Sequence, residues 1–198
     1  MAEIVNTYNK VAPEISKVYD QQNHNTGINE FIKHLKPHRR ILDVGSGMGK
    51  DVRTFSKLGF KAVGVEGSKG MITEAKKRYP GEKFQLADIR KLEFPKESFD
   101  AVWSWSVLTH LKDKDKRVVL KKIYYLLHER GIFSQTIWRG RGLFINKHIY
   151  PRSHFLIGVP SWNKLYKEAG FSKPQIKYIK GQGRNFIRIT AKKTSRAS

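Results

Sequence analysis

Apolar residues recur at helical spacing from the start of the chain. Val5, Tyr8, Val11, Ile15 and Val18 predict a helix over residues 4–19, with Pro13 expected to break or kink it. A polar stretch, 20–27, precedes a second helical pattern over 28–35 that stops near Pro37. The pattern then shortens. Residues 40–44, Arg-Ile-Leu-Asp-Val, form an apolar run ending in glycines and read as a buried strand. Residues 50–58 read as a helix ended by Gly59. Residues 61–65 read as a second strand, and Ser68 as the N-cap of a helix to Arg78. Residues 83–86 and 99–103 follow as strands, and 113–128 as a long amphipathic helix. Gly131 turns the chain into a fifth strand, 132–138. Residues 162–169 are helical and end at Gly170, and 174–179 and 185–190 alternate apolar and polar positions as a terminal antiparallel pair would.

Strands alternating with helices predict βαβ units, right-handed crossovers and a mostly parallel sheet, an α/β fold. Residues 139–160 fit no element. They form a mixed basic and aromatic stretch of a length that in compact domains is commonly functional or disordered. No internal repeat or low-complexity segment interrupts the pattern, and the polar tail, 192–198, is expected to fray. At 198 residues the chain is expected to be a single domain.

Composition changes this picture in two places. There is no cysteine, which excludes disulfides, thiolate metal sites and cysteine nucleophiles. The histidines are scattered, and no metal-ligand spacing appears. The formal net charge is +22, and it is uneven. Residues 1–111 hold 18 Lys/Arg against 13 Asp/Glu, whereas residues 112–198 hold 21 against 4. So basic a half points to an anionic partner, nucleic acid first, although scattered lysines also suit a solvated surface. No apolar run approaches the length of a membrane span and no signal pattern opens the chain, so no membrane partner is expected and a cytoplasmic location is the default.

The chemistry concentrates at the end of the first strand, in Asp43-Val44-Gly45-Ser46-Gly47-Met48-Gly49. Three alternating glycines remove side chains where the chain turns sharply and a ligand approaches the backbone, and the following helix offers free N–H groups. A dinucleotide fingerprint would place glycine where Lys50 stands, and Asp43 would repel a pyrophosphate, so NAD is the weaker reading. Glu66, ending the second strand, can accept hydrogen bonds from both hydroxyls of a ribose. Asp88, just after the third, can accept one from an adenine amino group. Acids at the ends of consecutive strands together outline a nucleoside site.

These residues resemble the class I S-adenosylmethionine-dependent methyltransferases. ILDVGSGMG is similar to the family's first motif, VGVEGS to its ribose-binding acidic motif, and LADI to its adenine-contacting motif. FDAVWSWSVLTHL resembles the segment leading to the cofactor's methionine end. The likeness is specific over about residues 40–140. It implies a Rossmann-like, open, seven-stranded, mostly parallel sheet with helices on both faces and the last strand antiparallel. It implies S-adenosyl-L-methionine as cofactor, held by the Gly45-Ser46-Gly47 turn, Gly49 and the Glu66-Gly67 pair. It also implies Asp43 near the methionine portion, Glu66 on the ribose, Asp88 and Ile89 at the adenine, and Ser104 or Trp105 on the methyl side. Residues 1–36 become a helical cap in which Tyr8 and Tyr19 can cover the cofactor, and 139–160 a substrate lid.

Methyl transfer from a sulfonium is an in-line displacement with an activated leaving group, so proximity and alignment are the main requirement. Where the acceptor must lose a proton, His110 is the candidate base. Trp103 and Trp105 are expected to face opposite ways, one into the core and the other walling the pocket. In residues 139–160, Arg139, Arg141, Lys147 and Arg152 interleave with Phe144, Tyr150 and Phe155. That combination suits phosphates with stacked bases, and equally a small aromatic or carboxylate acceptor under a lid. Three readings follow: a small-molecule methyltransferase, an RNA or other nucleic-acid methyltransferase, and a nucleoside-binding protein without catalysis. The first is favoured. No Asn/Asp-Pro-Pro-aromatic motif for exocyclic base amines is present, cysteine-dependent pyrimidine methylation is excluded, and no appended RNA-binding module is visible.

Overall fold

The computed structural model describes residues 2–20, 25–33, 35–146, 151–181 and 185–194. Lys147, Tyr150, the side chain of Tyr19 and residues 195–198 of the tail lie outside the described residues. The chain begins with α1 (Ala2–Asp20) and α2 (Asn25–Ile32), then runs β1 (Arg40–Val44), α3 (Lys50–Lys57), β2 (Lys61–Glu66), α4 (Lys69–Arg78) and β3 (Lys83–Leu86). β4 (Phe99–Trp105), α5 (Asp113–Leu126) and β5 (Leu127–Trp138) follow, then β6 (Gly142–Asn146), β7 (Arg152–Leu156), α6 (Val159–Glu168), β8 (Gln175–Lys180) and β9 (Asn185–Lys192).

Seven strands form one sheet in the order β3-β2-β1-β4-β5-β9-β8. β1 to β5 pair in parallel, and β9 runs antiparallel to both neighbours, as the family resemblance implied. Both faces are covered, which is why β1 beyond its exposed Arg40 is buried throughout and apolar apart from one acid. Leu42, Val44, Val102 and Phe133 pack on one face with residues of α5 and α6. Ile41, Ala101 and Trp103 pack on the other with Ile28 and Phe31 of α2 and Val52 and Phe55 of α3.

Four details depart from the sequence pattern. α1 runs through Pro13 without ending. It is held from outside: Asn9 Oδ1 accepts from Ser68 Oγ at 2.8 Å and from the Gly70 amide at 3.1 Å, which lays α1 across the start of α4. The helix expected over 28–35 lies at Asn25–Ile32. α5 passes straight into β5, and the turn at Gly131 is a bulge inside that strand, where Arg130 has φ 61° and pairing jumps from Phe99↔Leu127 to Ala101↔Ile132. Finally, residues 142–146 and 152–156 form an antiparallel hairpin apart from the main sheet.

α2 is tied to the far edge of the sheet by charge. Arg188 of β9, 7% exposed, donates to Glu30 at 2.7 Å and to Thr136 Oγ1 at 3.2 Å, and Lys177 of β8 also binds Glu30. Removing the carboxylate strands a buried guanidinium. Glu30→Ala is expected to lower the unfolding free energy by about 1–3 kcal/mol in urea denaturation. Lys76→Ala, on an exposed face of α4, should change it by less than about 0.5 kcal/mol.

Candidate active site

The turn after β1 bends through left-handed backbone at Gly45, Gly47 and Gly49, with φ of 76°, 53° and 79°. A Cβ on Gly45 would stand 2.1 Å from Val107, and one on Gly49 2.3 Å from the Phe84 ring, so the glycines are required by both conformation and space. Glu66, at the end of β2, fastens the turn. One carboxylate oxygen accepts from the Gly47 amide at 3.1 Å and the other from the Ser68 amide at 2.9 Å. Ser68 then caps α4 as expected, its hydroxyl accepting from the Met71 amide at 3.2 Å. Gly67 lies under α1, where an added Cβ would be 3.3 Å from Val5.

A cavity of about 740 Å³ opens beyond the carboxyl ends of β1, β2 and β4, the expected position for a ligand in an open parallel sheet. One end is acidic. Asp43, Asp51 and Glu66 line it with Gly45, Ser46, Gly47 and Gly67. Burial pushes the Asp43 carboxyl well above the usual carboxylate range, and repulsion from Asp51 and Glu66 adds to this. Burial also raises Glu66, while the amides of Ser68, Gly47 and Gly67 pull the other way. Ser46 Oγ is buried here with no hydrogen-bond partner among the described residues. Buried acids that repel one another, beside an unpartnered hydroxyl, fit a ligand carrying positive charge and polar groups.

The other sequence candidates divide. Asp88 and Ile89 line the cavity, but Asp88 is already engaged. It accepts from the Arg90 amide at 2.9 Å and from the Arg90 guanidinium, which holds its carboxyl below the usual range. A carboxylate has lone pairs to spare for a further donor. Ser104 is not in the cavity: it is 1% exposed, and its hydroxyl donates to the Val44 carbonyl at 3.0 Å. Strand alternation aims it at the face opposite Asp43 and Trp105. The same rule corrects the tryptophan expectation. Residues two apart share a face, and the Trp103 and Trp105 rings lie side by side, 6.1 Å between centroids. The division of labour survives: Trp103 is fully buried and donates to Asp51 at 2.8 Å, while Trp105 lines the cavity.

The far end of the cavity is aromatic. Trp105 of β4, Trp138 of β5 and Phe186 of β9 form its floor, from three adjacent strands. The hairpin roofs it: Arg152 and His154 of β7 line the cavity. Tyr8 of α1 and His110 close the sides. His110 Nδ1 donates to the Ser153 carbonyl at 2.8 Å, which leaves the lone pair on Nε2. Burial lowers the His110 pKa to about 4, so the ring is neutral at pH 7. Thr109 Oγ1 bonds His154 Nδ1 at 3.0 Å, and buried Lys116 donates to the Phe155 carbonyl at 2.8 Å, so three contacts anchor β7 to the segment after β4. Sequence reasoning missed Asp51, Trp138, His154 and Phe186. Trp138 and Phe186 were legible only as strand residues, and the hairpin that delivers His154 leaves no periodic signal.

Comparisons with known proteins agree with this arrangement. Residues 41–131 match the family model of the methyltransferase domain. Phosphoethanolamine N-methyltransferase 1 of Zea mays is 30% identical over 154 residues, 72% of this chain and 30% of that protein. The 2-methyl-6-phytyl-1,4-hydroquinone methyltransferase of Synechocystis is 33% identical over 111 residues, 54% of this chain and 34% of its own length. The chain thus spans about a third of these curated relatives. Among solved structures, the 1,6-didemethyltoxoflavin-N1-methyltransferase of Burkholderia thailandensis, crystallised with 1,6-didemethyltoxoflavin and S-adenosylhomocysteine, has the same fold. Its TM-score is 0.79 at 20% identity, covering 98% of this chain and 88% of that one. With the glycine turn, the strand-end acids and the sheet order in place, residues 41–131 match a methyltransferase domain, and the chain has the fold of solved S-adenosylmethionine-dependent methyltransferases.

Proposed function

We propose that this chain binds S-adenosyl-L-methionine in the acidic end of the cavity and transfers its methyl group in line to a small molecule held in the aromatic end. The observation that carries this reading is one continuous cavity with two chemically distinct ends. The bound donor supplies an electrophilic methyl group on a sulfonium; the chain's residues supply the rest. Glu66 accepts from the ribose hydroxyls, Asp88 and Ile89 border the adenine, and Asp43 faces the cationic methionine portion. The amides and hydroxyl of Gly45, Ser46, Gly47 and Gly49 shape the backbone cradle. Trp105 walls the methyl side, and His110, neutral at pH 7, takes a proton where the acceptor has one to lose.

A small acceptor is supported by the roof. The hairpin and α1 cover the aromatic end, so an acceptor fits there as a molecule enclosed on several sides. The strong positive charge of residues 112–198 favours the second reading, an RNA acceptor. That reading requires a single nucleotide to be inserted beneath the same roof.

Two outcomes are expected from calorimetry with S-adenosylmethionine. Glu66→Gln weakens binding about tenfold or more, because charge-assisted bonds become neutral ones and one oxygen that accepts from the Gly47 or Ser68 amide becomes an NH2 that cannot, while Ser104→Ala leaves the affinity unchanged. Equal affinity of Glu66→Gln and the parent would remove the ribose assignment. Binding also releases protons. Asp43 and Glu66 are raised by burial, so a cation beside them draws them back toward the ionised form, and affinity rises with pH through the raised range. Titrations in buffers of different ionisation enthalpy report the proton count, and net proton uptake would contradict the pairing.

A further inference from the structure

Most exposed large apolar side chains of this chain stand apart from one another. Leu58 follows α3, Leu86 ends β3, Tyr178 lies on β8, and Val118 and Tyr125 are well separated along α5. Scattered exposure of that kind is ordinary. One place differs. Leu143, Phe144 and Ile145 are consecutive in β6 and are 61%, 38% and 48% exposed. Alternation gives the strand two faces. Phe144, opposite His154, turns toward the cavity, its ring 5.8 Å from Trp138 and 6.2 Å from His154. Leu143 and Ile145 turn the other way, and Phe155, opposite Leu143, shares their face. The hairpin is therefore apolar on the face that points away from the cavity, where a solvated sheet face carries polar residues. Contacts of β7 to Thr109, His110 and Lys116 fix the hairpin, so the apolar face stays presented in the free protein.

The rim of this face is cationic. The exposed Lys112 ammonium stands 6.0 Å over the Phe155 ring. Arg141, also exposed, leads into β6, and its guanidinium packs on Gly158, just past β7. Residues 130–167 hold seven Lys/Arg and no Asp or Glu. Of the acids at the start of α5, Asp113 is paired with Lys116, and Asp115 lies 3.8 Å from Arg90. Exposed aliphatic chains rimmed by cations call for a partner that takes both. An RNA would meet the cations and leave Leu143 and Ile145 in water, because phosphates seek cations and bases stack on aromatic rings. A bilayer with anionic headgroups takes the aliphatic chains into its acyl boundary and the cations at its surface.

We propose that the outer face of the β6–β7 hairpin docks on an anionic membrane surface. Leu143, Ile145 and Phe155 enter the headgroup–acyl boundary, and Lys112 and Arg141 meet the lipid charges. Among the described residues no helix is long and apolar enough to cross a membrane, and this contact with one leaflet requires none. Arg152 and His154 of the same hairpin line the cavity, so docking sets its aromatic end beside the bilayer. The docking surface stands on the hairpin alone and holds whether or not the chain transfers methyl groups.

The test is flotation of the full chain with phosphatidylcholine vesicles, with and without phosphatidylserine. Binding to the phosphatidylserine vesicles is expected, weaker at high salt and much weaker to phosphatidylcholine alone. Leu143→Ser combined with Ile145→Ser should lower vesicle affinity about tenfold or more. Lys112→Gln and Arg141→Gln should each lower it about fivefold. Leu58→Ser, an exposed apolar site outside the hairpin, should leave it unchanged. All these positions are exposed, so the fold should survive, and an unchanged circular dichroism spectrum and thermal midpoint check this. A labelled RNA and sedimentation velocity distinguish the other occupants. The double serine variant should lose vesicle binding while RNA affinity and oligomeric state stay those of the parent. Absence of binding to anionic vesicles overturns the proposal, whether the chain binds RNA, pairs with a second copy or does neither. Vesicle binding that the double serine variant retains in full overturns it as well, because charge alone would then account for the contact.

Discussion

The carboxylate of Glu66 holds two backbone amides that the rest of the site depends on. The turn after β1 occupies left-handed backbone at three residues, and glycine only makes that conformation accessible; it does not select it. Selection comes from the neighbouring strand. By accepting from Gly47 on one side and Ser68 on the other, Glu66 fixes the β1 turn relative to the first turn of α4. Ser68 passes the constraint on, capping α4 and bonding Asn9, so α1 is seated across the cavity by the same short chain of contacts. Burial makes the charge on Glu66 costly, and the amides offset part of that cost. The site is thus organised around an acid that a positively charged, hydroxyl-bearing ligand would further stabilise.

The parts of the molecule readable from sequence are those fixed by local rules. β1, α3, β2, Ser68 with α4, and β3 each follow from periodicity and punctuation over a few residues, and the glycine turn announces its own geometry. The acids at 43, 66 and 88 follow from position, because strand ends in a parallel sheet converge on one edge. What was lost depended on distant partners. The hairpin formed by β6 and β7 is held by contacts from His110, Thr109 and Lys116, some 40 residues earlier in the chain, so its own residues carry no periodic signature. α1 passes through Pro13 while docked on α4 through Asn9, a contact that local periodicity does not announce. Ser104 was misplaced for a simpler reason: strand alternation, applied strictly, sends it away from the cavity and keeps Trp103 and Trp105 together.

The two ends of the cavity are built by different parts of the fold. The acidic end belongs to β1, β2 and their turns, within the segment that matches the methyltransferase domain. The aromatic end draws on β5, β9, the hairpin and α1, mostly outside that segment. Donor chemistry can therefore remain constant while the roof and floor are rewritten for another acceptor, a division that suits a fold hosting many substrates. His110 joins the halves. It follows β4, yet its ring is fixed by a carbonyl of the hairpin, so the group proposed to receive a proton is positioned by the element proposed to cover the acceptor.

A crystal structure with S-adenosylhomocysteine tests this account most directly. The account predicts the ribose hydroxyls on Glu66, the purine beside Ile89 and Asp88, the amino-acid portion facing Asp43, and the sulfur directed toward Trp105 and the aromatic chamber. A ligand bound elsewhere, or one seated in the cavity with its ribose away from Glu66, would contradict it.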